Sequence, residues 1–181
     1  MISFPDKKYN IIYADPPWLF KSWAKKGTIS VKNALNHYSC MGIEDIKVLP
    51  VSEIADDNCL LFIWVTYPLL QEGLDTIKSW GFTYKTCGFN WVKKNKKADS
   101  FFWGLGYWTR ANSELCLIAT KGKPKRVSMS VHQIVYERIR EHSRKPDCVR
   151  NKIVDLCGDL PRIELFAREK TEGWDCWGNE V

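Results

Sequence analysis

The chain has 181 residues and 21.1 kDa, the length of one compact α/β domain and too little to join a catalytic module to a separate recognition domain. Lys and Arg number 27 against 21 Asp and Glu, giving +6. With 45% hydrophobic and 27% charged residues, this excludes disordered and low-complexity chains. The longest apolar run, residues 59–65, is far below the roughly 20 residues of a bilayer span, and no signal-like stretch opens the chain, so the protein is expected to stay inside a cell.

Taken in chain order, residues 10–14 read as a buried strand that Asp15-Pro16-Pro17-Trp18 stops, because proline cannot continue a ladder. Residues 19–40 are polar and Lys-rich and read as a long loop of the lid or disordered kind. Short helices are expected at 42–47 and 51–55 and a buried strand at 60–65. Pro68 and Gly81 bracket a helix with apolar positions 69, 70, 74, 77 and 80. Strands are expected at 82–91, 115–120 and 131–135. Pro146 and Gly158 enclose a helix with Val149, Ile153 and Leu156 on its apolar face. A strong strand at 163–167 and a weaker one at 174–177 complete the set. Short apolar strands alternating with helices predict an α/β fold: a mostly parallel sheet covered on both faces, one domain spanning 1–181, without repeats or linkers.

Seven cysteines without a C-x-x-C pair, and three histidines without ligand spacing, predict neither zinc nor disulfides. Nine tryptophans are unusual. In a basic chain, such rings raise the expectation of stacking on bases, although most tryptophans in any protein are core.

Asp15-Pro16-Pro17-Trp18 falls just beyond the carboxyl end of a strand, where an open α/β sheet places its chemistry. A strand-ending turn capped by Asp is the plain structural reading. The chemical reading is methylation of the exocyclic amine of a base. That amine is a poor nucleophile, because its lone pair is delocalised into the ring. Two fixed acceptors on its N–H groups free the pair for in-line attack on a methyl sulfonium. The Asp15 carboxylate and the Pro16 carbonyl are such acceptors, Pro17 keeps the turn stiff, and neither proline brings a competing N–H. Trp18 offers a face for an extruded base. Asp15 is assigned orientation and electrostatic roles rather than that of a strong base.

From here the sequence resembles the MT-A70 family. The blocks that carry this are residues 13–18, 37–41 (His-Tyr-Ser-Cys-Met), 61–66, 90–93, 114–117, 142–147 (His-Ser-Arg-Lys-Pro-Asp), 163–168 and 177–179, in the family's order over nearly the whole chain. The resemblance implies S-adenosylmethionine-dependent N6-adenine methyltransfer on a Rossmann-like fold in permuted order, with the catalytic strand first and the donor strand last. Residue by residue, it makes Asp15–Trp18 the catalytic turn, with Asp15 also near the donor's amino group. Tyr38 matches the aromatic of a mobile loop over the adenine pocket, and Lys145 the lysine that pairs with the donor's carboxylate. Arg168 and Asn179 match residues that hold the donor's ribose and adenine. Phe166 and Lys170 are further donor-binding candidates, although Lys170 stands where the family commonly has histidine. Relatives often carry a donor-binding acid about one strand upstream of the turn, and here only 14 residues precede Asp15.

Positive charge is localised: residues 121–152 sum to +7 and the rest of the chain to −1, which predicts a phosphate-binding face that includes Arg126. Residues 89–110 interleave seven aromatic rings with Lys93, Lys94, Lys96, Lys97 and Arg110. The lysine run is expected to project, so Lys93 and Trp108 are substrate-binding candidates. The region reads either as a strand-separating loop or as a subunit contact making a homodimer or heterodimer. The expected activity is adenine N6-methylation of DNA in the cytoplasm of a bacterial or phage-infected cell. Adenosine methylation of RNA is the alternative, and a non-catalytic nucleic-acid-binding subunit ranks lower because Asp15 and Trp18 are intact.

Overall fold

The computed structural model describes residues 3–19, 41–106, 108–141 and 143–181. The run Tyr9–Ala14 forms β1, followed by helices α1 (Ile43–Lys47) and α2 (Val51–Ile54) and by β2 (Ala55–Val65). A 3₁₀ turn at Tyr67–Leu69, with Pro68 inside it, leads into α3 (Leu70–Ser79). Then come β3 (Thr83–Lys94), β4 (Ser113–Lys121), β5 (Ile134–Arg138), α4 (Cys148–Cys157), β6 (Arg162–Leu165) and β7 (Asp175–Trp177).

The seven strands lie in the order β5-β3-β4-β2-β1-β6-β7. Only the pairings of β4, with β2 and β3, are antiparallel; the other four are parallel. The sheet is therefore mostly parallel, as the apolar runs predict. Alternate residues of β1 and β2 feed two cores: Ile12, Leu61 and Ile63 pack on one side, and Ile11, Leu60, Phe62 and Trp64 on the other. The first core takes Ile46, Val51 and Ile77 from α1, α2 and α3. The second takes Val149, Ile153 and Cys157 from α4. Buried Trp80 ties α1 to the end of α3 by donating Nε1–H to the Ile46 carbonyl at 2.9 Å.

Three strands depart from the expected boundaries for identifiable reasons. β2 begins five residues before the expected strand at 60–65, because Ala55 already pairs with Tyr9 while Asp57 and Asn58 remain exposed. β5 is displaced to Ile134–Arg138, in register with Asn90–Lys94; Val131 packs on the core without entering the ladder. β3 continues through Lys93 and Lys94, so these two lysines are strand residues and do not project. The segment 20–40, including Tyr38 and the expected loop, lies outside the described residues.

Six strands end at one edge of the sheet, where β4 begins. That edge collects Asp15 after β1, Thr66 after β2, Lys93 near the end of β3, Glu114 at the start of β4 and Phe166 after β6. β1 is continued toward β2 through α1 and α2 on one face, while α4 crosses the other face to bring β6 to its opposite side. The resulting divergence beside β1 is where an open α/β sheet forms its crevice.

Candidate active site

The turn after β1 is held from both sides. The Trp18 backbone N–H donates to the Pro16 carbonyl at 2.8 Å, and Met41 N–H donates to the Pro17 carbonyl at 3.1 Å. One lone pair of the Pro16 oxygen is thus occupied and one remains. Trp18 is half-buried against the first core, its Nε1–H donating to the Trp64 carbonyl at 2.9 Å, so the ring plane is fixed.

Lys145 Nζ lies 2.8 Å from both Asp15 oxygens and 3.4 Å from Glu114 Oε2, with its side chain only 9% exposed. Glu114 in turn accepts from Lys93 Nζ at 2.6 Å. The four groups alternate in sign, Lys93–Glu114–Lys145–Asp15, and sum to zero. Beneath them, Lys145 stands 5.6 Å from the Trp64 ring and Lys93 5.0 Å from the Trp91 ring, both desolvated cation–π contacts. The Trp64 indole donates to the Tyr13 hydroxyl at 2.6 Å, and burial raises the Tyr13 pKa well above its usual value, keeping the hydroxyl neutral.

Burial pushes the Asp15 carboxyl above the ordinary aspartate value, outweighing Lys145. Burial acts the same way on Glu114, but Lys145 and Lys93 together overcome it and hold that carboxyl below its usual range. Burial disfavours the Lys145 charge, yet Asp15 and Glu114 prevail and the ammonium is pushed up to about 12. Lys145 and Glu114 are therefore fixed charges at neutral pH, and of the two carboxyls Asp15 is the one its surroundings raise.

The segment carrying Lys145 is stapled in place. Arg140 donates to the Lys145 carbonyl at 2.9 Å and to Asp147 at 2.6 Å, and Arg150 reaches Asp147 at 3.0 Å. Ser143 takes a positive φ of 59° and its carbonyl accepts from Lys145 Nζ at 3.2 Å. Across the crevice, Phe166 adopts φ 61°, a left-handed conformation that a bulky side chain rarely takes. Its ring meets Trp177 edge-on at 5.5 Å, and Ala167 N–H donates to the Trp177 carbonyl at 3.0 Å. A Cβ on Gly178 would stand 2.4 Å from the Ala167 carbonyl oxygen, so only glycine allows these backbones to run side by side. The approach places Arg168 and Asn179 together at the same edge.

Of the candidate residues, the fold brings Asp15–Trp18, Lys93, Lys145, Phe166, Arg168 and Asn179 to the carboxyl edge, with Lys170 on the exposed loop between β6 and β7. Lys93 arrives as an internal partner of Glu114 rather than a projecting cation. Trp108 is fully exposed on the excursion between β3 and β4. Arg126 is elsewhere. β4 ends at Lys121, opposite Cys59 of β2, and Val127 N–H donates to Leu156 near the end of α4. Arg126 therefore sits at the amino edge, a helix length of about 15 Å from Lys145. The basic window is split between two edges, because β5 carries the chain from the amino to the carboxyl edge and α4 carries it back. Sequence reasoning missed Glu114 and gave Trp64 no role; a strand-end acid beside a strand-end aromatic was the available signal.

The MT-A70 family model matches residues 9–180. The chain belongs to the MT-A70 family. A type II methyltransferase from a Mycoplasma species, M.MunI, is 35% identical over 98% of this chain and 79% of its own length. An N(6)-adenosine-methyltransferase MT-A70-like protein of Drosophila melanogaster is 29% identical over 96% of this chain. The human N(6)-adenosine-methyltransferase catalytic subunit METTL3 is 26% identical over the same share. The chain spans about a quarter of the length of these two animal relatives. Like other MT-A70 methyltransferases, it uses S-adenosylmethionine as methyl donor.

The residues present fit that donor. A buried cation between two carboxylates suits a zwitterionic amino-acid tail. The buried Thr66 Oγ1 at the same edge has no hydrogen-bond partner among the described residues.

Proposed function

We propose that this MT-A70 protein methylates the exocyclic N6 of adenine in DNA. The supporting observation is the Asp15-Pro16-Pro17-Trp18 turn at the carboxyl end of β1, its carboxylate gripped by a buried lysine. S-adenosylmethionine, when bound, supplies an electrophilic methyl group on a sulfonium.

Asp15 accepts one N6–H, and the free lone pair of the Pro16 oxygen accepts the other, drawing the amine out of conjugation. Trp18, its indole fixed by the Trp64 carbonyl, receives the face of the extruded base. Lys145 orients the Asp15 carboxylate and, with three donors, can also hold the donor's carboxylate; Phe166, Arg168, Lys170 and Asn179 form the opposite wall. Once methylated, N6 would be cationic and acidic, and Asp15 or water would take its proton.

Purified protein given labelled donor should incorporate N6-methyladenine into unmethylated DNA; transfer to neither DNA nor RNA, alone or with a partner, overturns the reading. Incorporation into RNA alone would instead support the second reading, which the METTL3-type relatives favour. Work on DNA assigns the protein to the cytoplasm of a bacterial or phage-infected cell. Among the described residues, no helix is long and apolar enough to cross a membrane. Association of two subunits through residues 93–110 is the competing use of the exposed surface between β3 and β4.

A further inference from the structure

Between β3 and β4 the chain leaves the carboxyl edge in an excursion whose base is firmly built. Phe102 N–H donates to the Lys93 carbonyl at 2.9 Å and Gly104 N–H to the Ala111 carbonyl at 2.6 Å. The Asn112 side chain bridges the Lys93 and Phe102 carbonyls, and Asn95 N–H donates to the Ser100 carbonyl at 2.8 Å. Gly106 turns at φ 63°, where a Cβ would collide with the Thr109 carbonyl.

This rigid base presents apolar side chains to solvent. Phe101 is 45% exposed, Trp103 61%, Leu105 86% and Trp108 100%. Scattered exposed apolar residues are ordinary, but four within eight residues form a patch that marks an interaction. Exposed Lys96, Lys97 and Arg110 flank it, while the one acid, Asp99, is already paired with Lys94. Arg138 of β5 is tied to the Lys96 carbonyl at 3.2 Å, adding a further cation. Large rings ringed by positive charge match a stacked polyanion better than an apolar protein face.

The position matters as much as the chemistry. Lys93, at the root of the excursion, is the first member of the ion chain that ends on Asp15. A base inside a duplex cannot reach Asp15 without leaving its stack, and apolar side chains inserted between base steps are a known way to open one.

We propose that residues 101–106 together with Trp108 form a wedge that enters the DNA duplex beside the target adenine and holds the gap open, with Trp108 and Leu105 as the inserted side chains. The proposal rests on the DNA reading above. Its test compares methyl transfer to duplex and single-stranded DNA of the same sequence by the wild type and by the double variant Leu105→Ala/Trp108→Ala. Both side chains are exposed, so an unchanged melting curve is expected.

Duplex activity should fall about tenfold, the equivalent of one lost stacking contact, while single-strand activity stays within about twofold. Trp108→Phe should restore most of the duplex activity. Equal loss on both substrates, or no loss on duplex, overturns the wedge. Without donor, wild type should brighten duplexes carrying 2-aminopurine and the double variant should not. If wild type methylates no DNA, the DNA reading fails on its own, and absence of that fluorescence change then rejects the wedge as well. Light scattering showing a wild-type dimer that the double variant converts to monomers, with the duplex preference unchanged, would assign the patch to subunit contact.

Discussion

Two buried cations stand five residues apart and are used differently. Arg150 donates from Nε and Nη2 to the two oxygens of Glu164 at 2.7 and 2.9 Å, a fork on a carboxylate with both oxygens engaged. Lys145 divides one ammonium between Asp15, Glu114 and the Ser143 carbonyl. The arginine is structural: its fork joins α4 to β6, and its remaining nitrogen reaches Asp147 in the staple of the Lys145 segment. The lysine is a compact charge with rotatable donors and more acceptors than it can serve well, so it can turn toward a new anion at small cost. Burial alone does not mark a functional ion pair; the unequal sharing does.

Breaking each pair should separate the two kinds. Asp15→Ala is expected to lower single-turnover methyl transfer about 10²- to 10⁴-fold with little change in melting temperature; near-wild-type transfer would remove Asp15 from the chemistry. Arg150→Leu should act on stability instead, costing about 3–5 kcal/mol in urea unfolding, because Glu164 is left buried and unpaired. Adding Glu164→Leu should recover most of that loss; failure to do so would place the cost in the lost Arg150–Asp147 contact and not in the unpaired Glu164.

Lys145→Ala should weaken donor binding by roughly 1.5–3 kcal/mol in calorimetry, with a smaller effect on unfolding than Arg150→Leu. Donor affinity that does not move would exclude Lys145 from the donor site. A subtler contrast lies in pH dependence. Asp15 must be ionised to accept N6–H, and its folded pKa is raised, so activity is lost as pH falls through a value above the ordinary 3.9 or so. Glu114→Gln removes a like charge and leaves Lys145 to Asp15 alone, so the acid limb should move to lower pH; movement to higher pH would contradict the assigned coupling.

The smallest effect is expected at the amino edge. Replacing Lys123, Lys125 and Arg126 together should leave the salt dependence of DNA binding nearly unchanged. Replacing Arg138 and Arg140 at the carboxyl edge should lower the slope by about one per lost phosphate contact. The reverse result would move the nucleic-acid face to the other side of the sheet.

Much of this was legible in the residues. β1 with its proline stop, α3 between Pro68 and Gly81, and α4 ahead of Gly158 follow from local rules, since proline, glycine and apolar spacing act over a few residues. The catalytic turn was legible for the same reason: four adjacent residues carry its acceptors, its stiffness and its ring. Strand ends were less so. Lys93 and Lys94 are strand residues because β5 supplies their partners, and Asp57 and Asn58 because Ala55 ahead of them already pairs with Tyr9, and no local pattern announces a partner 44 or more residues away.

The sequence by itself determined the α/β class, the placement of Asp15-Pro16-Pro17-Trp18 at a strand's end, and membership of the MT-A70 family, because each is written in contiguous residues. Only the tertiary structure decided which charges meet. Lys145 reaches Asp15 across 130 residues, Glu114 joins them because β4 runs against its neighbours, and the +7 window divides because the chain crosses the sheet twice within and after it. Charge adds along a sequence, but its energy depends on separation and burial in space, which are set by strand order and direction.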